Sequence, residues 1–260
     1  MSAIGNRLSE VQQRITVAVA AAGLPPKAVR LLAVSKTFGP QAVCDAVAGG
    51  QRDFGENYVQ EGISKRASVG IHLTEMALKS SAPNPTEALR WHFIGPLQSN
   101  KTKEVAAYFD WVHSVDRLKI AERLAHQRPA GLLPLEICLQ VNLDDEATKS
   151  GVPPNSVNPM LEALAQLASE TGALRLRGLM AIPAPRNTFD EQRAAFRQLR
   201  ELLLVNKARL EAAYPEKVVR LNTLSMGMSA DLEAAIAESD SQLVTWVRIG
   251  TAIFGQRVRP

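Results

Sequence analysis

The chain has 260 residues, of which 46% are hydrophobic and 22% charged, and it carries a net charge of +4. These values are typical of a globular protein with a substantial buried core, and they exclude a disordered chain. The basic residues are dispersed and aromatic residues make up only 5% of the chain, which excludes the clustered basic and stacking surface that nucleic-acid binding needs.

The N-terminal segment predicts an amphipathic helix over about residues 4–22. Apolar residues recur at helical spacing at Ile4, Leu8 and Val11. Residues 15–24 imitate the apolar part of a signal peptide, but Glu10 lies where such a peptide is positively charged. No stretch approaches the roughly 20 apolar residues of a membrane helix, so we expect no membrane partner.

Eight short apolar or β-branched segments predict strands. They cover residues 31–35, 52–55, 91–94, 111–115, 135–142, 176–182, 219–224 and 245–249. Helical patterns lie between most of them, at residues 40–49, 100–108, 117–127, 156–171, 189–213 and 230–238. Strands that alternate with helices pair in parallel, because a parallel connection needs a crossover.

Eight such units predict an α/β protein, a single (β/α)8 TIM barrel that occupies residues 1–260 as one domain. An open doubly wound sheet is the alternative that the pattern leaves open. Residues 64–90 interrupt the alternation. We interpret them as the end of a helix over about 59–67, followed by a surface insertion of low order at about 68–88.

The two cysteines, Cys44 and Cys138, lie far apart in apolar surroundings and match no metal or redox spacing. We predict two buried, reduced thiols and a cytoplasmic protein. His92 and His113 lie within predicted strands without a metal-ligand spacing, so we expect them to be satisfied core histidines and predict no metal site.

Polar residues follow several predicted strands, and the carboxyl ends of barrel strands are where active groups gather. Lys36 directly follows the first strand. A lysine at the mouth of a barrel can be desolvated, which frees its amine for attack on a carbonyl. A solvent-exposed lysine is the ordinary alternative, and Lys36 taken alone favours that alternative.

The last two strands predict a phosphate site, because barrels frequently bind phosphate with the loops that follow strands seven and eight. Gly250 and Thr251 offer a backbone amide and a hydroxyl, while Ser229 precedes the last predicted helix and could cap it or meet an anion. Arg248 lies on the same face as Gly250, so it should point into the barrel. Its partner there would be a ligand acceptor or a carboxylate such as Glu56.

Taken together, these segments resemble the pyridoxal phosphate homeostasis protein family over about residues 30–256. The resemblance rests on long segments that occur in order. They are AVSKTF at 33–38, FGENYVQE at 54–61, WHFIGPLQSNK at 91–101, VHSVDR at 112–117, QVN at 140–142, RGLMAI at 177–182, LSMGMSADLEAAI at 224–236 and VRIGTAIFG at 247–255.

The resemblance implies a fold like the barrel domain of alanine racemase, of the kind called PLP fold type III, without the second β domain of that enzyme. It implies that pyridoxal 5′-phosphate (PLP) is bound as a Schiff base on Lys36, with Asn57 and Met226 beside the cofactor. Ser229, Gly250 and Thr251 would hold the phosphate, and Arg248 would face the pyridine nitrogen. Because arginine stays cationic, it opposes protonation of that nitrogen, and the cofactor is then a weaker electron sink.

The family resemblance therefore implies a carrier or buffer of PLP, involved in intracellular PLP homeostasis, that turns over no substrate and can pass the cofactor to apo PLP-dependent enzymes. We expect a monomer, since no second domain is evident. A small PLP-dependent racemase is one alternative, for which Tyr58 is the only tyrosine placed near a strand end. A Schiff-base aldolase that uses Lys36, with Glu56 as its base, is the other.

Overall fold

Eight parallel strands form a closed barrel in the order β1 to β8. The structure is a computed structural model that describes residues 2–80, 85–144 and 150–256. The strands are β1 Val29–Val34, β2 Asp53–Glu56, β3 Arg90–Phe93, β4 Trp111–Val115, β5 Leu135–Val141, β6 Leu174–Ala181, β7 Val219–Ser225 and β8 Val244–Ile249. Each strand pairs with the next, and β8 closes the sheet against β1. The predicted (β/α)8 barrel is confirmed, and the open doubly wound alternative is wrong.

Helices surround the barrel. They are α1 Ala3–Ala21, α2 Pro40–Ala48, α3 Val59–Ser80, α4 Thr102–Tyr108, α5 Leu118–Gln127, α6 Val157–Thr171, α7 Phe189–Ala213, α8 Leu232–Ala237 and α9 Thr251–Phe254. Short 3-10 turns lie at Pro85–Ala88, Ser99–Lys101 and Pro154–Ser156. The short α9, which directly follows β8, was not predicted.

The expectation of a low-order excursion after residue 67 is wrong for residues 68–80. The helix predicted over 59–67 continues to Ser80. Val69 and Leu73 are buried four residues apart, so a narrow apolar stripe continues along this helix and holds it against the core. Glycine and serine residues around that stripe weaken the sequence pattern. The part of the predicted insertion at residues 81–84 lies outside the described residues.

The N-terminal segment is the amphipathic helix α1, as predicted. Its N-cap residue Ser2 accepts a hydrogen bond from the amide of Gly5. Leu8 and Val11 are buried, and the helix packs against α2, α8 and α9. Within the described part of the chain, no helix combines the length and the apolar character that crossing a membrane requires.

The strand register decides which side chains enter the barrel. Leu32 of β1 is paired with Arg248 of β8, and Val34 is paired with Gly55 of β2. Because side chains alternate along a strand, these positions face the interior, whereas Ser35 and Glu56 face the helices. Cys44 and Cys138 are buried free thiols, as expected, and burial raises the pKa of Cys138 to about 12.

Candidate functional site

A cavity of about 280 Å³ opens at the carboxyl ends of the strands. Six of the seven predicted site residues line it, and they come from the ends of four different strands: Lys36, Asn57, Ser229, Arg248, Gly250 and Thr251. The rest of the lining is largely apolar and is formed by Val34, Phe38, Ile94, Ile182, Met228, Ala230 and Gly255. The size is close to the lower end of small-molecule pockets, about 300 Å³.

The charge of the cavity is positive. Among the described residues of its lining, the ionisable side chains are Lys36 and Arg248, with no carboxylate, histidine, cysteine or tyrosine. The hydroxyls of Ser229 and Thr251 add neutral hydrogen-bonding groups. A buried arginine cation beside a lysine amine in a partly apolar pocket favours a small ligand that carries negative charge and a group that an amine can attack.

Lys36 is half-buried at the start of a tight turn. The turn follows β1 and is closed by a hydrogen bond of 3.1 Å from the amide of Phe38 to the carbonyl of Ser35. Thr37, the residue after Lys36, has a φ of 69°. A left-handed conformation at a β-branched residue costs about 1–3 kcal/mol, so the surrounding structure has to impose it.

Arg248 points into the barrel, as predicted, and is buried there. Its guanidinium donates to the Ser225 hydroxyl and to the Ala181 carbonyl, each over 2.8 Å. Burial lowers the pKa of Arg248 to about 10, so it remains a cation at neutral pH. The carboxylate partner suggested for it, Glu56, does not reach it, because Glu56 faces the helices on the outside of the barrel.

A chain of hydrogen bonds continues from Arg248 through the barrel interior. Ser225 Oγ lies 2.7 Å from His113 Nδ1, and His113 Nε2 lies 2.9 Å from His92 Nδ1. His92 Nε2 lies 3.1 Å from an Asp53 carboxylate oxygen. Burial, followed by the charges of His92 and Arg248, holds the pKa of His113 well below its usual range. Both histidines are satisfied core residues, as predicted.

Asn57 is held at the cavity by close backbone packing. A Cβ on Gly95 would lie 2.2 Å from the carbonyl oxygen of Asn57, so only glycine allows the β3 loop to approach this closely. The side-chain oxygen of Asn57 is buried and has no hydrogen-bond partner among the described residues. Such an oxygen suits a donor from a ligand, because a buried acceptor without a partner is costly.

The structure does not bring Met226, the seventh predicted site residue, to the cavity. Met226 directly follows Ser225, which faces the barrel interior, so alternation turns Met226 outward into the apolar core. Met228 lines the cavity instead.

Ser229 lines the cavity but does not cap a helix, because α8 begins at Leu232 and has Asp231 as its N-cap residue.

Sequence reasoning missed a buried charge cluster behind the Lys36 turn. We call it the Lys65 cluster, and it consists of Glu56, Glu61 and Lys65. Lys65 Nζ lies 2.6 Å from Glu56 and 2.8 Å from Glu61, and its side chain is 3% exposed. The four-residue spacing of Glu61 and Lys65 in a predicted helix was the available signal, but it is also the spacing of ordinary surface pairs.

Comparison with known proteins agrees with the fold and the cavity. The chain matches the family model described as "Alanine racemase, N-terminal domain" over residues 7–258. It is 52% identical to the pyridoxal phosphate homeostasis protein of Pseudomonas aeruginosa PAO1, over 99% of this chain and 97% of that one. Its identity to the protein of the same name from Escherichia coli K12 is 46%, over 99% of this chain and 98% of that one.

Among solved structures, PipY from Synechococcus elongatus PCC7942, determined with PLP bound, superimposes with a TM-score of 0.73 and 38% identity. The match covers 97% of this chain and 100% of that one. The class of protein is therefore a single barrel of the alanine racemase N-terminal type, with a cationic cavity at the strand ends. Within this class, the chain belongs to the pyridoxal phosphate homeostasis protein family, so the resemblance seen in the sequence motifs is confirmed.

Proposed function

We propose that this protein binds PLP in the cavity through Lys36 and holds it in reserve for other enzymes, without turning over a substrate. The observation that carries the proposal is the cavity lining, with one lysine amine, one buried arginine and no anionic side chain among the described residues. PLP offers the matching chemistry, namely an aldehyde for the amine and a phosphate dianion for the positive pocket. That a relative, PipY, was determined with PLP bound supports the same ligand.

Six residues of the lining have an assigned role in this proposal. Lys36 would hold the aldehyde carbon as a Schiff base. Ser229, Gly250 and Thr251 would bind the phosphate, and a Cβ on Gly250 would lie 3.2 Å from the Val34 carbonyl, which favours the small residue there. Asn57 would accept a hydrogen bond from the ring hydroxyl through its buried oxygen.

Arg248 favours storage of the cofactor over catalysis. Many PLP enzymes that stabilise carbanions keep the pyridine nitrogen protonated beside an aspartate, which makes the ring a strong electron sink, whereas others place an arginine there. Arginine can only donate a hydrogen bond and stays charged, so it keeps that nitrogen unprotonated. No carboxylate lines the cavity among the described residues. The described lining therefore contains no anionic side chain that could stabilise a protonated pyridine nitrogen.

Both catalytic alternatives lack support in the geometry. An aldolase was expected to use Glu56 as its base, but Glu56 faces the helices and pairs with Lys65. For a racemase, Tyr58 was the only tyrosine that the sequence placed near a strand end, but it is 56% exposed and does not line the cavity. Lys36 is therefore the one residue of the described lining that could move a proton on a bound amino acid.

Borohydride reduction of the PLP-loaded protein, followed by peptide mass spectrometry, tests the cofactor site. We expect one phosphopyridoxyl adduct, on Lys36, and its loss in Lys36→Ala. Lys101→Ala is the matched control, since Lys101 follows β3 at the same end of the barrel and its side chain is 35% exposed. A protein that takes up no PLP, or takes it up equally after Lys36→Ala, would sink the proposal.

Two further measurements separate a carrier from an enzyme. Proton NMR in D2O follows exchange of the α-hydrogen of amino acids, and we expect no rate above that of free PLP. Mixing the loaded protein with an apo PLP-dependent enzyme should restore the activity of that enzyme. Exchange far above the free-PLP rate would instead support the racemase.

A further inference from the structure

Three groups around Lys36 are bonded to the Lys65 cluster. Lys65 Nζ donates to the Ser35 carbonyl over 2.7 Å. The Ser35 hydroxyl donates to Glu56 over 2.6 Å. The amide of Thr37 donates to Glu61 over 2.5 Å. The residues on both sides of Lys36 are therefore tied to β2 and α3, while Lys36 itself lines the cavity.

These contacts coincide with the strained residue of the turn. Thr37 has its φ at 69°, where glycine or asparagine is normally found in the third position of such a turn. The bond from its amide to Glu61 stabilises this conformation. Glu61 Oε1 accepts from both Thr37 and Lys65. The charge of Lys65 therefore holds the Glu61 carboxylate in place, and this carboxylate in turn holds the Thr37 amide.

Burial makes the cluster rigid. The side chains of Glu56 and Lys65 are 0% and 3% exposed, and Lys65 uses its three donors on Ser35, Glu56 and Glu61. Movement of the buried Lys65 amine away from these three acceptors would leave its charge without a partner, which opposes rearrangement of the cluster. The amine is also closed off from the cavity, so Lys65 is no substitute nucleophile for Lys36.

We infer that the Lys65 cluster positions the Lys36 turn for capture of the cofactor, with Glu61 and Lys65 as positioning residues. The inference rests on the proposed function, in that the turn is positioned for the binding of PLP to Lys36. The cluster restricts the conformation of the turn before PLP binds. Binding therefore does not have to order the turn at a cost in free energy. PLP affinity should therefore depend on a carboxylate that does not touch the ligand.

The first test uses the protein without cofactor and follows hydrogen exchange of the Thr37 amide by NMR. Thr37 is exposed, and its amide is bonded to Glu61. Glu61→Ala should remove its protection from exchange. The matched control is Glu211→Ala, since Glu211 pairs with Lys207 at the same four-residue spacing and both glutamates are 29% exposed. Unchanged protection of Thr37 in Glu61→Ala overturns the inference.

The second test measures PLP affinity well below the unfolding temperature of each variant. Loss of one hydrogen bond to a charged group should weaken binding about tenfold in Glu61→Ala. Glu61→Gln keeps an acceptor oxygen and should recover most of that loss, whereas Glu211→Ala should match the wild type. A purely structural role would lower thermal stability and leave the affinity of the folded protein unchanged, which would overturn the inference.

A double-mutant cycle tests whether the effect passes through the turn. Glycine tolerates a positive φ without steric cost, so Thr37→Gly should reduce the affinity lost on Glu61→Ala. Equal losses in both backgrounds contradict positioning through Thr37. If the wild-type protein binds no PLP, the proposed function fails, and the exchange experiment still decides whether the cluster holds the turn. Lys65→Met is a poorer probe, because it leaves two buried carboxylates without their cation.

Discussion

His113 and His92 share a hydrogen bond of 2.9 Å inside the barrel, and we infer its direction from the two ends of the chain of hydrogen bonds to which it belongs. At one end, Arg248 donates to the Ser225 hydroxyl, which leaves the hydrogen of that hydroxyl available to His113 Nδ1. At the far end, the Asp53 carboxylate accepts from His92 Nε2. This direction has every hydrogen bond in the chain pointing from Arg248 toward Asp53, with a ring hydrogen on Nε2 of each histidine.

The first prediction concerns those tautomers. We expect nitrogen NMR of the imidazoles to show a neutral His113 at pH 7, because burial holds its pKa low. Both rings should carry a hydrogen on Nε2, because each Nδ1 is an acceptor in the chain. Exposed His126 on α5 provides a reference signal from a ring outside the barrel. A doubly protonated signal for His113 at neutral pH, or a hydrogen on its Nδ1, would contradict the proposed direction of the chain.

The second prediction concerns Ser225, which links Arg248 to His113. Ser225→Ala leaves a buried guanidinium nitrogen and an imidazole nitrogen without their partner, at a cost of about 1–3 kcal/mol in the free energy of unfolding. PLP affinity should fall as well, since Arg248 loses one of its two anchors.

Ser239→Ala provides the matched control for Ser225. The Ser239 hydroxyl is also buried and hydrogen-bonded, but to Thr245 and to a backbone carbonyl away from the cavity. Urea unfolding and PLP titration should show a stability loss in both variants and an affinity loss only in Ser225→Ala. Equal affinities would show that Ser225 does not position Arg248.

The third prediction concerns Gly95, where the loop after β3 meets Asn57. Gly95→Ala places a methyl group 2.2 Å from the Asn57 carbonyl, and overpacking of this kind costs about 1–3 kcal/mol. Since Asn57 lines the cavity, PLP affinity should fall too. Gly39→Ala is the control, because a Cβ there meets nothing within 4 Å. An affinity equal to that of the wild type would show that this close approach does not position Asn57.

The fourth prediction concerns Glu238, which is buried between three arginines of α7. It lies 2.8 Å from Arg193 and 2.9 Å from both Arg197 and Arg200. Burial by itself raises the pKa of Glu238, but the hydrogen bonds from Arg197 and Arg193 outweigh it, and the pKa is lowered. A lowered pKa stabilises the folded protein above the unfolded value, about pH 4.3 for glutamate.

Glu238→Gln should therefore lower the free energy of unfolding by about 2 kcal/mol at pH 7. The difference from the wild type should shrink as the pH falls through the lowered pKa of Glu238, because the wild type then loses the same charge. Exposed Glu201→Gln on the same helix is the control. Denaturant unfolding between pH 3 and 7 measures both, and a difference that stays constant to pH 3 would contradict the assignment.

The sequence by itself determined the parallel α/β architecture and most of the cavity. Strands and helices are local patterns, and their alternation along most of the chain predicts a parallel sheet. Lys36, Asn57, Gly250 and Thr251 follow the carboxyl ends of strands, which meet at one end of any such barrel. Their convergence is therefore predictable without knowledge of a single contact.

Only the tertiary structure decided in which direction the remaining side chains of these motifs point. Glu56 and Met226 occur in the same motifs as true lining residues, but the strand register turns both outward. Lys65 meets Ser35 across 30 residues of chain, and Arg248 meets Ser225 across 23. Contacts of this kind depend on which faces of distant elements pack together, and periodicity along one element carries no information about that choice.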